Sequence, residues 1–125
     1  MDRNQLVKNI RPEISIDTHL QNDVEKFQSI TLRPILKFQN DIIIAYFDDY
    51  LNELNINLDK ENNSDKIKII TNHLKSNKRL KHCLKSLVIA LFTKDEMDFY
   101  IANKIEIRKR LVELLIQRYY DAKTK

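Results

Sequence analysis

Residues 31–54 read TLRPILKFQNDIIIAYFDDYLNEL, and this segment sets the expected fold class. Leu32, Ile35, Leu36, Ile42, Ile43, Tyr46, Phe47, Tyr50, Leu51 and Leu54 recur in one broad stripe at about 100° per residue, the period of an α-helix. Asp41, Asp48 and Asn52 fall on the opposite side. Strand alternation fits the segment far less well. Thr31 is the expected N-cap, and Pro34 then falls in the first turn, where a missing N–H costs nothing.

The rest of the chain supports a helical reading. Among its 125 residues there is no glycine and there are only two prolines. Type I′ and II′ hairpins lose their favoured residue, which weighs against an antiparallel β fold. The same absence excludes phosphate-cradling loops, dinucleotide fingerprints and nucleophile elbows, each of which needs glycine for its backbone path.

Working outward, residues 1–16 show no helical period. Pro12 biases Arg11 towards extended backbone, so this segment is expected to be an extended or flexible arm. Asp17 or Thr18 is expected to cap a first helix carrying Leu20, Val24 and Phe27. Residues 55–63 read as a loop. Ser64 then caps a third helix with Ile67, Ile70 and Leu74, and Asn77 a fourth with Leu80, Leu84, Leu87, Val88 and Leu91. Thr93 and Glu96 form a capping-box pattern. They open a fifth helix reaching about Tyr120, with Met97, Ile101, Ile105, Leu111, Val112, Leu115 and Tyr119 on its apolar side. The expected architecture is all-α, an antiparallel bundle of about five helices over residues 17–121, with a frayed tail at 122–125.

Cys83 is the only cysteine, so no intrachain disulfide can form. The opening MDRNQLVKNIRPE lacks the apolar core of a signal peptide, and the longest apolar run, Ile42 to Phe47, is far too short for a membrane span. A cytoplasmic protein that engages no membrane is the expectation. Charge is unevenly spread although the net value is only +4. Residues 31–59 hold two basic side chains against five acidic ones, whereas residues 60–92 hold eight basic against two acidic. Such polarity either neutralises internally or steers a partner.

Three groups of residues are candidates for function. Lys75, Lys78, Arg79, Lys81, His82 and Lys85 form a basic face on and beside the fourth helix, away from its leucine stripe. With the turn at Ser76-Asn77 they suggest a helix-turn-helix that places lysines on phosphates and Arg79 or His82 on base edges. Arg108 and Lys104 fall inside the apolar sector of a continuous fifth helix. Either a kink after Asn103 moves the stripe, or Arg108 is partly buried and needs Asp49, Glu53 or a bound anion, with Gln39 joining the network. Finally, Asp48 with Asn52 and Asp49 with Glu53 stack at i, i+4, a spacing able to hold Mg²⁺. The only other acidic cluster, Asp95-Glu96-Met97-Asp98, falls at an expected helix N-terminus, which attracts acids through its dipole. His19, His73 and His82 show no ligand spacing, so no catalytic residue, metal or cofactor is expected.

The residues Phe27-Gln-Ser-Ile-Thr31-Leu-Arg-Pro34-Ile-Leu-Lys-Phe-Gln39-Asn-Asp41, with Phe92-Thr93, Glu96, Tyr100 and Asn103, carry a resemblance. Together they resemble short all-helical bacterial proteins, some of them labelled glyoxalase, over most of residues 25–120. The resemblance implies no catalytic residues. Glyoxalase modules are βαβββ units with His and Glu metal ligands on strands, a pattern not found in this sequence. The expected function is therefore a non-enzymatic protein interaction, with self-association as a homodimer. The alternatives are nucleic-acid binding through residues 75–85 and binding of a small anion or other small ligand at Arg108 near the helix-two carboxylates.

Overall fold

The computed structural model describes residues 2–14 and 22–125. Every regular element among them is helical. In chain order they are α1 (Arg3–Asn9), α2 (residues 23–38), α3 (Asn40–Glu53), α4 (Asn63–Ser76), α5 (Lys78–Ile89), α6 (Lys94–Ala102) and α7 (Lys104–Lys123). A short 3₁₀ turn, Leu58–Lys60, lies in the loop after α3. The expected helical class is thus observed, with seven helices among the described residues where about five were expected. The predicted Asp17 or Thr18 cap, Leu20 and His19 lie outside the described residues.

The additional helices arise from breaks the hydrophobic pattern did not show. The predicted first and second helices run together through residues 23–38, and Thr31 is no cap but lies inside a π turn, Gln28–Leu32. Pro34 explains that turn. An interior proline makes no i−4 hydrogen bond and crowds the carbonyl four residues back. The π turn lets Arg33 N–H reach Gln28 O instead, widening the helix just before the proline. The chain then breaks at Gln39 (φ −89°, ψ 3°), whose side-chain Nε2 donates to Leu87 O at 2.8 Å. A second break at Asn103 (φ −127°, ψ 32°) divides the predicted fifth helix.

Each long helix buries one row at four-residue spacing: Ile43, Phe47 and Leu51 on α3, Leu80, Leu84 and Val88 on α5, and Ile107, Leu111, Leu115 and Tyr119 on α7. These rows meet in one core with Leu32, Ile35 and Leu36 of α2 and Ile70 and Leu74 of α4. Helix α7 packs on α3, α4, α5 and the π turn, and is the element around which the others are arranged. Because Asn103 resets the phase, Ile107 is buried whereas Ile101 and Ile105, expected in the core, are 56% and 88% exposed. No helix is long and apolar enough to cross a membrane.

Residues 3–9 correct the expectation of an extended arm. Asp2 and Gln5 form a capping box that starts α1. The arm then fastens to the α5–α6 turn: Arg3 donates to Phe92 O and Ala90 O, both at 2.7 Å, and Asn4 Oδ1 accepts from Lys94 N at 3.1 Å. Arg11 Nη1 and Nη2 donate to Glu96 at 2.7 and 2.6 Å. At the other end α7 continues to Lys123, beyond the point where fraying was expected.

Candidate functional site

Helix α5 begins where the sequence places it. Asn77 Oδ1 accepts from Leu80 N at 2.9 Å, and the single residue Asn77 joins α4 to α5. Leu80, Leu84 and Val88 turn into the core, as expected. Lys81 and Lys85 stand at roughly 60° and 100° from Leu84 around the helix. They flank the stripe instead of opposing it, and α7 packs along that flank. Lys85 is consequently 8% exposed, which corrects the expectation of a solvated lysine.

The result is a groove with a volume of about 580 Å³, walled by the end of α4, by α5 and by α7. Its lining carries six cations, Lys75, Lys78, Lys81, Lys85, Arg108 and Lys109, together with His82 and a single acid, Glu113. Among the described residues none of these cations is ion-paired. Arg108 is held against α6, where its Nε donates to the Tyr100 hydroxyl at 3.0 Å. Burial, then repulsion from Arg108 and Lys81, lowers the Lys85 ammonium below the usual lysine range. All three side chains line the same groove.

Two separately predicted groups are therefore brought together. Five of the six basic-face residues share the groove with Arg108. Arg79 does not: it lies on the other side of α5, lining a cavity with Tyr46, Asp49, Tyr50 and Glu53. The proposed approach of Arg108 to Asp49 or Glu53 is not found, and Arg108 stays exposed instead of partly buried. The break at Asn103 moves the stripe, so Arg108 flanks it. Lys104 is exposed as the first residue of α7. Gln39 is engaged by Leu87 and takes no part in an Arg108 network.

The acidic run is divided in the same way. Asp48 faces the hydroxyl of Tyr119, from which it accepts a short hydrogen bond, and pairs with Lys123 Nζ at 2.7 Å. Asp49 points to the Arg79 cavity. Among the described residues no His, Cys, Asp and Glu cluster has the composition of a metal site.

Lys109, Val112 and Glu113 were not anticipated in the groove. A usable signal was present, since Arg108-Lys109 is an adjacent basic pair within an apolar-striped segment. What the sequence could not supply was the helix opposite. Comparison with protein families, with curated proteins and with solved structures found no match for this chain.

Proposed function

We propose that this chain binds the phosphate backbone of a nucleic acid along the groove between α5 and α7. One observation carries the reading: six cations from three helices converge on one cavity that holds a single acid, and none has an internal counter-ion among the described residues. Their mutual repulsion is a standing cost, which a polyanion relieves while releasing its own condensed counter-ions. Because Lys85 is turned inward, the geometry favours a backbone lying in a groove over a recognition helix inserted on its own. Bases are then not read by Arg79, which faces elsewhere.

The test is fluorescence anisotropy of labelled single-stranded and duplex oligonucleotides over a salt series. Neutralising about five phosphates of a duplex gives a log–log salt slope of about −4 to −5. Lys78→Glu with Lys109→Glu is expected to weaken binding more than tenfold for every sequence alike. Failure of both oligonucleotides to bind at low salt overturns the reading.

A second surface supports self-association. Phe38, Ile42 and Tyr46 are 47%, 56% and 38% exposed at successive four-residue steps across α2 and α3. A second copy of the chain is the occupant we favour for these side chains, since exposed apolar patches mark interaction surfaces. Light scattering of the wild type and of Ile42→Asp tests it. A dimer reduced to monomer by the substitution supports the reading, and a wild-type monomer at micromolar concentration ends it. The one-residue link between α4 and α5, with those helices packed together, also supports the antiparallel arrangement.

A further inference from the structure

The groove is not uniform. Lys75, Lys78, Lys109 and Arg108 are exposed, whereas Lys85 is 8% exposed and its ammonium has no hydrogen-bond or ion-pair partner among the described residues. Facing the same cavity from α7, Arg108 has its Nε occupied by Tyr100 at 3.0 Å. That bond fixes the guanidinium and leaves both terminal nitrogens without a partner among the described residues. An arginine so held presents the planar two-donor edge that matches two oxygens of one phosphate. Lys85 supplies a third donor from the opposite wall, and Lys81, one turn earlier, adds charge.

We propose that Lys85 and Arg108 form a subsite for the terminal phosphate of a nucleic-acid strand, an assignment that rests on the groove reading given above. An internal phosphodiester has one negative charge and two free oxygens. A terminal phosphomonoester carries about −1.5 to −2 and three acceptor oxygens. The second matches the donors and the excess charge of this pair: two oxygens for Arg108, the third for Lys85. The exposed lysines then follow the diesters of the same strand outward. Tyr100 acts as a positioning residue for Arg108.

The full chain is titrated with two short single-stranded oligonucleotides of identical sequence, one phosphorylated at its labelled-strand terminus and one ending in a hydroxyl. The phosphorylated strand is expected to bind at least about tenfold more tightly, a difference of about 1.4 kcal/mol. Lys85→Gln and Arg108→Gln should remove that preference, weakening the phosphorylated strand about tenfold more than the hydroxyl strand. Tyr100→Phe should reduce the preference several-fold, and circular dichroism checks that each variant is folded. Inorganic phosphate and a mononucleotide serve as competitors and are expected to displace the strand only at far higher concentration. Equal wild-type affinity for the two strands overturns the subsite and leaves the groove reading intact. Binding of neither strand overturns the groove reading itself. A mononucleotide that competes as well as the strand makes the occupant a small nucleotide and overturns the terminal-strand assignment.

Discussion

Glu96 is the residue on which the N-terminal arm depends. Its carboxylate accepts from Arg11, from Thr31 Oγ1 at 2.9 Å and from Thr93 N at 2.8 Å. Burial pushes this carboxyl up, but the hydrogen bonds from Arg11, Thr93 and Thr31 and the Arg11 charge outweigh it and hold the pKa at about 2. A folded pKa below the unfolded value contributes stability that is present above roughly pH 4.3 and lost as the pH falls towards 2. Chemical unfolding measured between neutral pH and pH 2 should show that loss. In Glu96→Gln the loss should be smaller, and the variant should already be weaker at neutral pH by about 3 kcal/mol, since Arg11, with its side chain 8% exposed, is left buried without its partner. Lys85 is the opposite case, a largely buried side chain whose ammonium has no ion pair among the described residues. Lys85→Met should therefore stabilise the unliganded protein by about 1 kcal/mol, seen as a Tm several degrees higher, while weakening nucleic-acid binding.

The helix ends show how a chain without glycine terminates its elements. After α3, Asn55 takes φ 59°, the left-handed conformation that a C-terminal glycine ordinarily supplies and that asparagine tolerates best among the rest. At the start of α5, Asn77 serves both as the link from α4 and as the N-cap. Asn77→Ala should cost about 1 kcal/mol in thermal or denaturant unfolding. Because the groove wall begins at Lys78, the variant should also weaken oligonucleotide binding. Asn55→Val places a β-branched side chain in left-handed backbone and should lose 1 to 2 kcal/mol, as an order of magnitude, whereas Asn55→Gly should be tolerated. These caps were legible in the sequence at Asn77 and at Thr93 with Glu96, since a cap depends on residues three apart. The box at Asp2 and Gln5 was equally local but has little apolar period behind it: Val7 is the one buried residue of α1. The cap of α4 falls at Asn62, not at Ser64, because Asn62 Oδ1 reaches Asp65 N at 2.8 Å.

For the whole molecule, the separation of charge along the chain becomes a separation in space. Lysines from residues 75–85 are joined by Arg108 and Lys109 on one side of α5, while Asp49 and Glu53 accompany Arg79 on the other. Raising the ionic strength should therefore act in two directions: it should screen the crowded cations and raise the Tm slightly, and it should weaken polyanion binding steeply. Calorimetry and anisotropy over one salt series check both. The sequence by itself determined the helical class, the four-residue core rows and the basic character of residues 75–85, because periodicity, propensity and charge are properties of neighbours along the chain. It left open which flank of α5 would be covered, where Asn103 would reset the phase of the last helix, and that Arg108 would face lysines and not carboxylates. Those were decided only by packing, since a helix exposes or buries a flank according to the element laid against it, and that element comes from a distant part of the chain.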